Sequence, residues 1–153
     1  MKKVLCGVAC CLLLLTGCAK DGGPAPFDPS ETTQALLNSG AFSETLEELD
    51  YEIAAMLFGL SGDAGQYEGT TLYYSTGATS EAVAVVCTQD ADQAAAVETA
   101  LNAWIESQIE AVQNYQPAEV EKLEHAIVET RGNTVLLAVA ADWEAAQSAI
   151  PAE

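Results

Sequence analysis

The sequence predicts one α+β domain: an antiparallel four-stranded sheet made of two hairpins, packed by one long central helix, with shorter helices toward both termini. Three observations lead there. Residues 70–88 and 126–140 each contain two runs rich in β-branched and aromatic residues divided by a turn. Between them, Ala94, Val97, Leu101, Trp104, Ile105, Ile109 and Val112 recur at three- and four-residue intervals, the stripe of an amphipathic helix. Strands grouped as hairpins around a helix, rather than alternating singly with helices, give an antiparallel sheet. The expected order is ααββαββα.

Each element has a local reason. Ser30 can cap a short helix over about Glu31 to Ser39, with Leu36 and Leu37 inward and Gly40 as terminator. Asp50 opens a second helix, Tyr51 to Phe58, which Gly59 stops and which turns Ile53, Leu57 and Met56 inward. Thr70 to Thr76 and Glu81 to Thr88 flank Gly77 as a hairpin. In its second strand Val83, Val85 and Cys87 alternate with Ala82, Ala84 and Val86, so both faces are apolar and the strand is central. Asp90 or Asp92 caps the long helix, which runs to about Asn114 and ends because Pro117 forces Gln116 out of the helical region. A short connection with Val120 and Leu123 leads to strands Ala126 to Arg131 and Thr134 to Ala140, joined by Gly132-Asn133. Asp142 caps a last helix through Ile150.

The amino terminus carries a different signal. Met1-Lys2-Lys3 is a positive n-region, and Val4 to Leu15 is an unbroken apolar or small run, too short for the about 20 residues that a membrane-spanning helix needs. The leader closes Leu15-Thr16-Gly17-Cys18, which resembles the lipobox of bacterial lipoproteins. The resemblance implies cleavage between Gly17 and Cys18, a diacylglyceryl thioether on Cys18 (the palmitate-type modification of that class), and in some members acylation of the new amino terminus. The alternatives are a plain signal peptide with a chance cysteine, or an uncut amino-terminal anchor. Residues 1–17 are thus read as the signal, 18–30 as a lipidated cysteine with a Gly/Pro tether, and 31–153 as the domain. Twelve tether residues reach roughly 35 Å at ~3.1 Å each.

Charge narrows the partners. Without its leader the chain keeps Lys20, Lys122 and Arg131 against 23 acids, a formal net charge of −20. Such a surface disfavours nucleic acid, whose phosphates are bound by Lys and Arg, and an anionic leaflet, so membrane attachment rests on lipid. Cys6, Cys10 and Cys11 leave with the leader and Cys18 is consumed, so Cys87 remains alone and no internal disulfide forms. Cys87 reads as a small buried apolar residue.

Reactive constellations are sparse. His125 is the single histidine, and pairing it with Cys87 in a triad has no motif behind it. Asp90-Ala91-Asp92 lacks the glycine and distal glutamate of a calcium loop, and Glu119, Glu121 and Glu124 read as a solvated face. The remaining candidate is a small polar pocket bounded by Gln108, Tyr115 and Trp104, with a structural hydrogen-bonding role for Gln108 and Tyr115 as the competing reading.

Glu48-Leu49-Asp50, Tyr74 through Val85, Gln108, Tyr115-Gln116-Pro117, and Arg131 through Leu137 together resemble a family of small lipoproteins from Gram-positive bacteria, domain of unknown function 4358. Family members often have an acidic pair and isoleucine where this chain has Glu81-Ala82-Val83, and a basic residue at Trp104. The resemblance implies export, lipidation and an α+β domain, and no established reaction. The expectation is therefore a lipid-anchored, extracytoplasmic cell-membrane protein without catalytic residues, metal or cofactor, binding an envelope protein partner or serving as an accessory module. The alternative is a small-ligand or cation-binding lipoprotein, and the sequence leaves oligomeric state open.

Overall fold

A computed structural model describes residues 23–152; the leader, Cys18 and the start of the expected tether lie outside the described residues. In chain order the elements are α1 (Pro29–Leu37), β1 (Leu46–Glu48), α2 (Tyr51–Phe58), a 3₁₀ turn (Ala64–Tyr67), β2 (Thr71–Ser75), β3 (Ala82–Cys87), α3 (Ala91–Val112), α4 (Pro117–Glu124), β4 (Ile127–Arg131), β5 (Thr134–Val139) and α5 (Trp143–Ala149). The domain is α+β as expected, and its sheet is wholly antiparallel in the order β1-β2-β3-β5-β4.

β3 is the central strand, as its double apolar pattern demands. Ala82, Ala84 and Val86 join a cluster with Phe58, Leu101, Trp104 and Leu123 on the face covered by α2, α3 and α4. Val83 and Val85 join a second cluster with Phe27, Leu36 and Ala146 on the face covered by α1 and α5. The result is helix, sheet, helix in three layers. The expected stripe of α3 is buried at Ala94, Val97, Leu101, Trp104, Ile105 and Val112, and Asp90 caps the helix by accepting from the Gln93 N–H. Asp142 caps α5 in the same way through Ala145.

Four expectations need correction. The sheet has five strands among the described residues, not four: β1 pairs Leu46 to Glu48 with Ser75 to Tyr73. Three residues, two of them exposed glutamates, show no alternation to read, and acids on a short edge strand discourage further pairing. Secondly, the connection after Pro117 is a helix. Proline ends α3 by forcing Gln116 to φ −132°, and it equally suits the first position of α4, where a missing N–H costs nothing. Thirdly, Ile53 and Met56 are 51 % and 83 % exposed; α2 buries Ala54 and Phe58 instead, with Leu57 half-buried.

The fourth correction moves the domain boundary. Asp28, not Ser30, caps α1 by accepting from the Glu31 N–H at 2.8 Å. Phe27 is buried, its N–H donates to Thr134 Oγ1 at 2.9 Å, and the Arg131 guanidinium lies 4.2 Å over its ring. Gly132 (φ +56°) abuts Pro26, whose Cγ would lie 3.0 Å from a Cβ there. Residues 26–28 are thus part of the packed domain rather than of a free tether. Replacing Phe27 by Ala is expected to cost about 3 kcal/mol, read as a lower urea midpoint with unchanged slope; a free tether would give no shift.

Candidate functional site

Ionisable side chains converge at the end of the sheet where β3 begins. Glu81, next to the first residue of an apolar strand, is fully buried. An isolated carboxylate there would be prohibitively costly, and the fold answers with donors from two directions. Lys122 Nζ lies 2.8 Å from Glu81 Oε1 and 2.9 Å from Glu119 Oε1. The Ser43 N–H donates to Glu81 Oε2 at 2.9 Å and the Glu44 N–H at 3.3 Å, while the Ser43 hydroxyl bonds Oε1. Glu119 Oε2 accepts from the Ser80 N–H at 2.7 Å. Beside them, Glu44 accepts from the hydroxyls of Ser75 and Thr79 and fills the space where a Cβ on Gly77 would stand.

Burial alone would raise the Glu81 carboxyl, but the hydrogen bonds from Lys122 and Ser43, the Lys122 charge and the Glu44 N–H outweigh it and hold it below the ordinary value. For Lys122, burial opposes the charge, and the bonds to Glu81 and Glu119 overcome it, leaving the ammonium above its ordinary value. One ammonium therefore bridges two carboxylates beside the 76–81 loop, leaving a net charge of −1 that the Ser43, Glu44 and Ser80 N–H groups help to hold. The arrangement joins that loop to α4 and to residues 43–44. Its geometry is that of a clamp: each of these side chains is already hydrogen-bonded within the protein.

The expected polar pocket is only partly assembled. Trp104 and Gln108 line one open groove of about 330 Å³ between α2 and α3, together with Met56, Leu57 and Phe58. Tyr115 is 67 % exposed and does not line it. Trp104 packs edge-on against Phe58 and Tyr74 at centroid distances of 4.9 and 6.3 Å, and its indole N–H has no partner among the described residues. Cys87 and His125 lie at opposite ends of the sheet. Cys87 pairs with Thr134, whereas Ile127, two residues after His125, pairs with Ala138; at ~3.4 Å per residue that sets Ile127 about 14 Å from Cys87 along the strands, with His125 beyond it. Burial, then Asp28, raises the Cys87 thiol above its ordinary value, so it stays protonated, and His125 stacks on Trp143 at 4.6 Å. Glu119 is not on a solvated face but buried in the clamp.

Sequence reasoning passed over Glu81, Lys122 and Glu44. One signal was available: Lys122 is the single lysine beyond Lys20 in a chain with 23 acids, so a folded acid had strong reason to sit beside it.

The family model described as domain of unknown function (DUF4358) matches residues 38–140. The chain belongs to this family. No curated protein matches the chain, and no solved structure matches it. The DUF4358 match takes in all five strands, α2, α3, α4, the clamp and the groove, but neither α1 nor α5, the two helices that cover the second face.

Lys122→Met should destabilise the domain by about 3 kcal/mol at pH 7, because it strands a buried carboxylate. The pH dependence has a definite sign. A carboxyl lowered by folding stabilises fully above its ordinary value, 4.5 here, and loses that contribution as pH falls through the folded value. A lysine raised by folding stabilises fully below its ordinary value of 10.5 and loses that contribution as pH rises through the folded value. Urea unfolding at pH 7 and pH 3 should accordingly show the gap between wild type and Lys122→Met narrowing in acid; an equal gap at both would contradict the clamp.

Proposed function

We propose that this DUF4358 protein is a lipid-anchored extracytoplasmic lipoprotein of the bacterial cell membrane and acts without catalysis, as a protein-binding or accessory module. The observation that carries the anchor is the ending Leu15-Thr16-Gly17-Cys18 behind a twelve-residue apolar run and a Lys2-Lys3 start. The lipid on Cys18 is diacylglyceryl, and each buried methylene contributes about 0.8 kcal/mol of membrane affinity. An acidic domain needs that lipid, because its own charge repels an anionic leaflet.

The clamp supports the non-catalytic half of this reading. The buried ionisable groups that the fold gathers are bonded to one another, Cys87 is held as a thiol, and Cys87 lies at the end of the sheet opposite both the clamp and His125. With Phe27 docked, only seven residues lie between Cys18 and Pro26, which at about 3.1 Å each is roughly 22 Å of chain in the polyproline conformation. The domain then works close to the membrane, where a partner within the envelope is within range.

Metabolic labelling with an alkyne fatty acid, followed by fractionation, tests the anchor. Wild type should take the label, sediment with membranes and yield Cys18 as its first residue by mass spectrometry. Cys18→Ala should lose the label and leave residues 1–17 attached. Label retained by that variant, or a mature chain beginning elsewhere, would overturn the assignment.

A further inference from the structure

The α2–α3 groove has an unusual combination of features. Its apolar rim is exposed rather than covered: Met56 is 83 % and the neighbouring Ile53 51 % solvent-accessible. Its opening, about 330 Å³, is bounded by Leu57 and Phe58 on one wall and by Ala100, Ala103, Trp104, Ser107 and Gln108 on the other. The small residues Ala100, Ala103 and Ser107 keep the α3 wall low beside Trp104. Trp104, the large aromatic of that wall, still carries an indole N–H without an acceptor among the described residues.

The charge around this trough has one sign. Helix α2 contributes Glu52 and α3 contributes Glu106 and Glu110, and neither helix carries a lysine or arginine; Glu98 of α3 instead meets β4, accepting from the Thr130 hydroxyl at 2.6 Å. By helical spacing Glu52 lies one turn from Met56, Glu106 one turn from Ala103, and Glu110 one turn from Ser107; all three acids are exposed. An apolar floor with an acidic rim selects its occupant. An anionic lipid surface is repelled by the rim. A second copy would bring another chain of net charge −18 against the same acidic rim, adding like charge to like charge.

Resting on the protein-binding reading above, we propose that the α2–α3 groove docks an amphipathic segment of a partner envelope protein. Apolar side chains of that segment, at helical spacing, cover Met56, Leu57 and Trp104, and flanking lysines or arginines meet Glu52, Glu106 and Glu110. The apolar contact supplies affinity, and the charged rim sets orientation and association rate.

The test uses the full-length protein in its own cells, with the photocrosslinker p-benzoylphenylalanine placed at position 56, at position 107, or at position 147 on the exposed side of α5 as control. The expected result is one discrete adduct from positions 56 and 107, absent from 147. Its crosslinked peptide should be basic, with apolar residues three and four apart, and its yield should fall with added salt. Met56→Asp should reduce the adduct from position 107 about tenfold without altering the melting temperature, since the side chain is solvent-exposed. Adducts from 56 and 107 to lipid, to a second copy, or to an acidic or nonhelical peptide overturn the proposal. A partner captured only at 147 overturns the groove and leaves the protein-binding reading standing. No adduct at any position counts against both.

Discussion

The structure depends on one strand that has no polar face. β3 is buried along all but its last residue, so neither side of the sheet can be left to water, and two separate apolar clusters follow. One is closed by α2, α3 and α4, the other by α1, α5 and the docked Phe27. The neighbouring strand β5 is buried throughout for the same reason. Where the apolar run of β3 begins, the chain places Glu81, and the cost of a charge at that depth explains why Lys122, Ser43 and the N–H of Glu44 converge there. The clamp is thus a consequence of where the strand starts.

Much of this was legible in the sequence wherever a pattern ran long enough to repeat. The 22-residue α3, both hairpins, the Gly132-Asn133 turn and the two-faced β3 all follow from periodicity and turn chemistry. What escaped was short or double-valued. β1 is three residues long, and Leu46 alone is buried. Pro117 both ends a helix and begins one, and only the ending was read. In α2 the sequence Tyr-Glu-Ile-Ala-Ala-Met-Leu-Phe is apolar nearly all round, so it could not say which side faces the core; Ala54 and Phe58 took it, leaving Ile53 and Met56 outside. The clamp was invisible for another reason. Its members come from residues 43–44, 75–81 and 119–122, and only the packing of a loop and of α4 against the start of β3 brings them together.

The two ends of the sheet differ in character. At the Thr134 end, Phe27, Arg131 and Pro26 tie down the segment that leads from the amino terminus, and Arg131 also donates to the Pro151 carbonyl at 2.9 Å, binding both chain ends to one hairpin. At the other end sit Glu81, Lys122, Glu119 and Glu44.

The central claim is that β3 and its partner β5 form the last-opening unit around which the helices are arranged. Native-state hydrogen exchange followed residue by residue tests it most directly. Amides of Val83 to Val86 and Leu136 to Ala138 should exchange slowest, with free energies equal to that of global unfolding, while β1 and the edge of β4 open earlier. Exchange of the β3 amides at lower free energy than those of α3 or β4 would contradict the account.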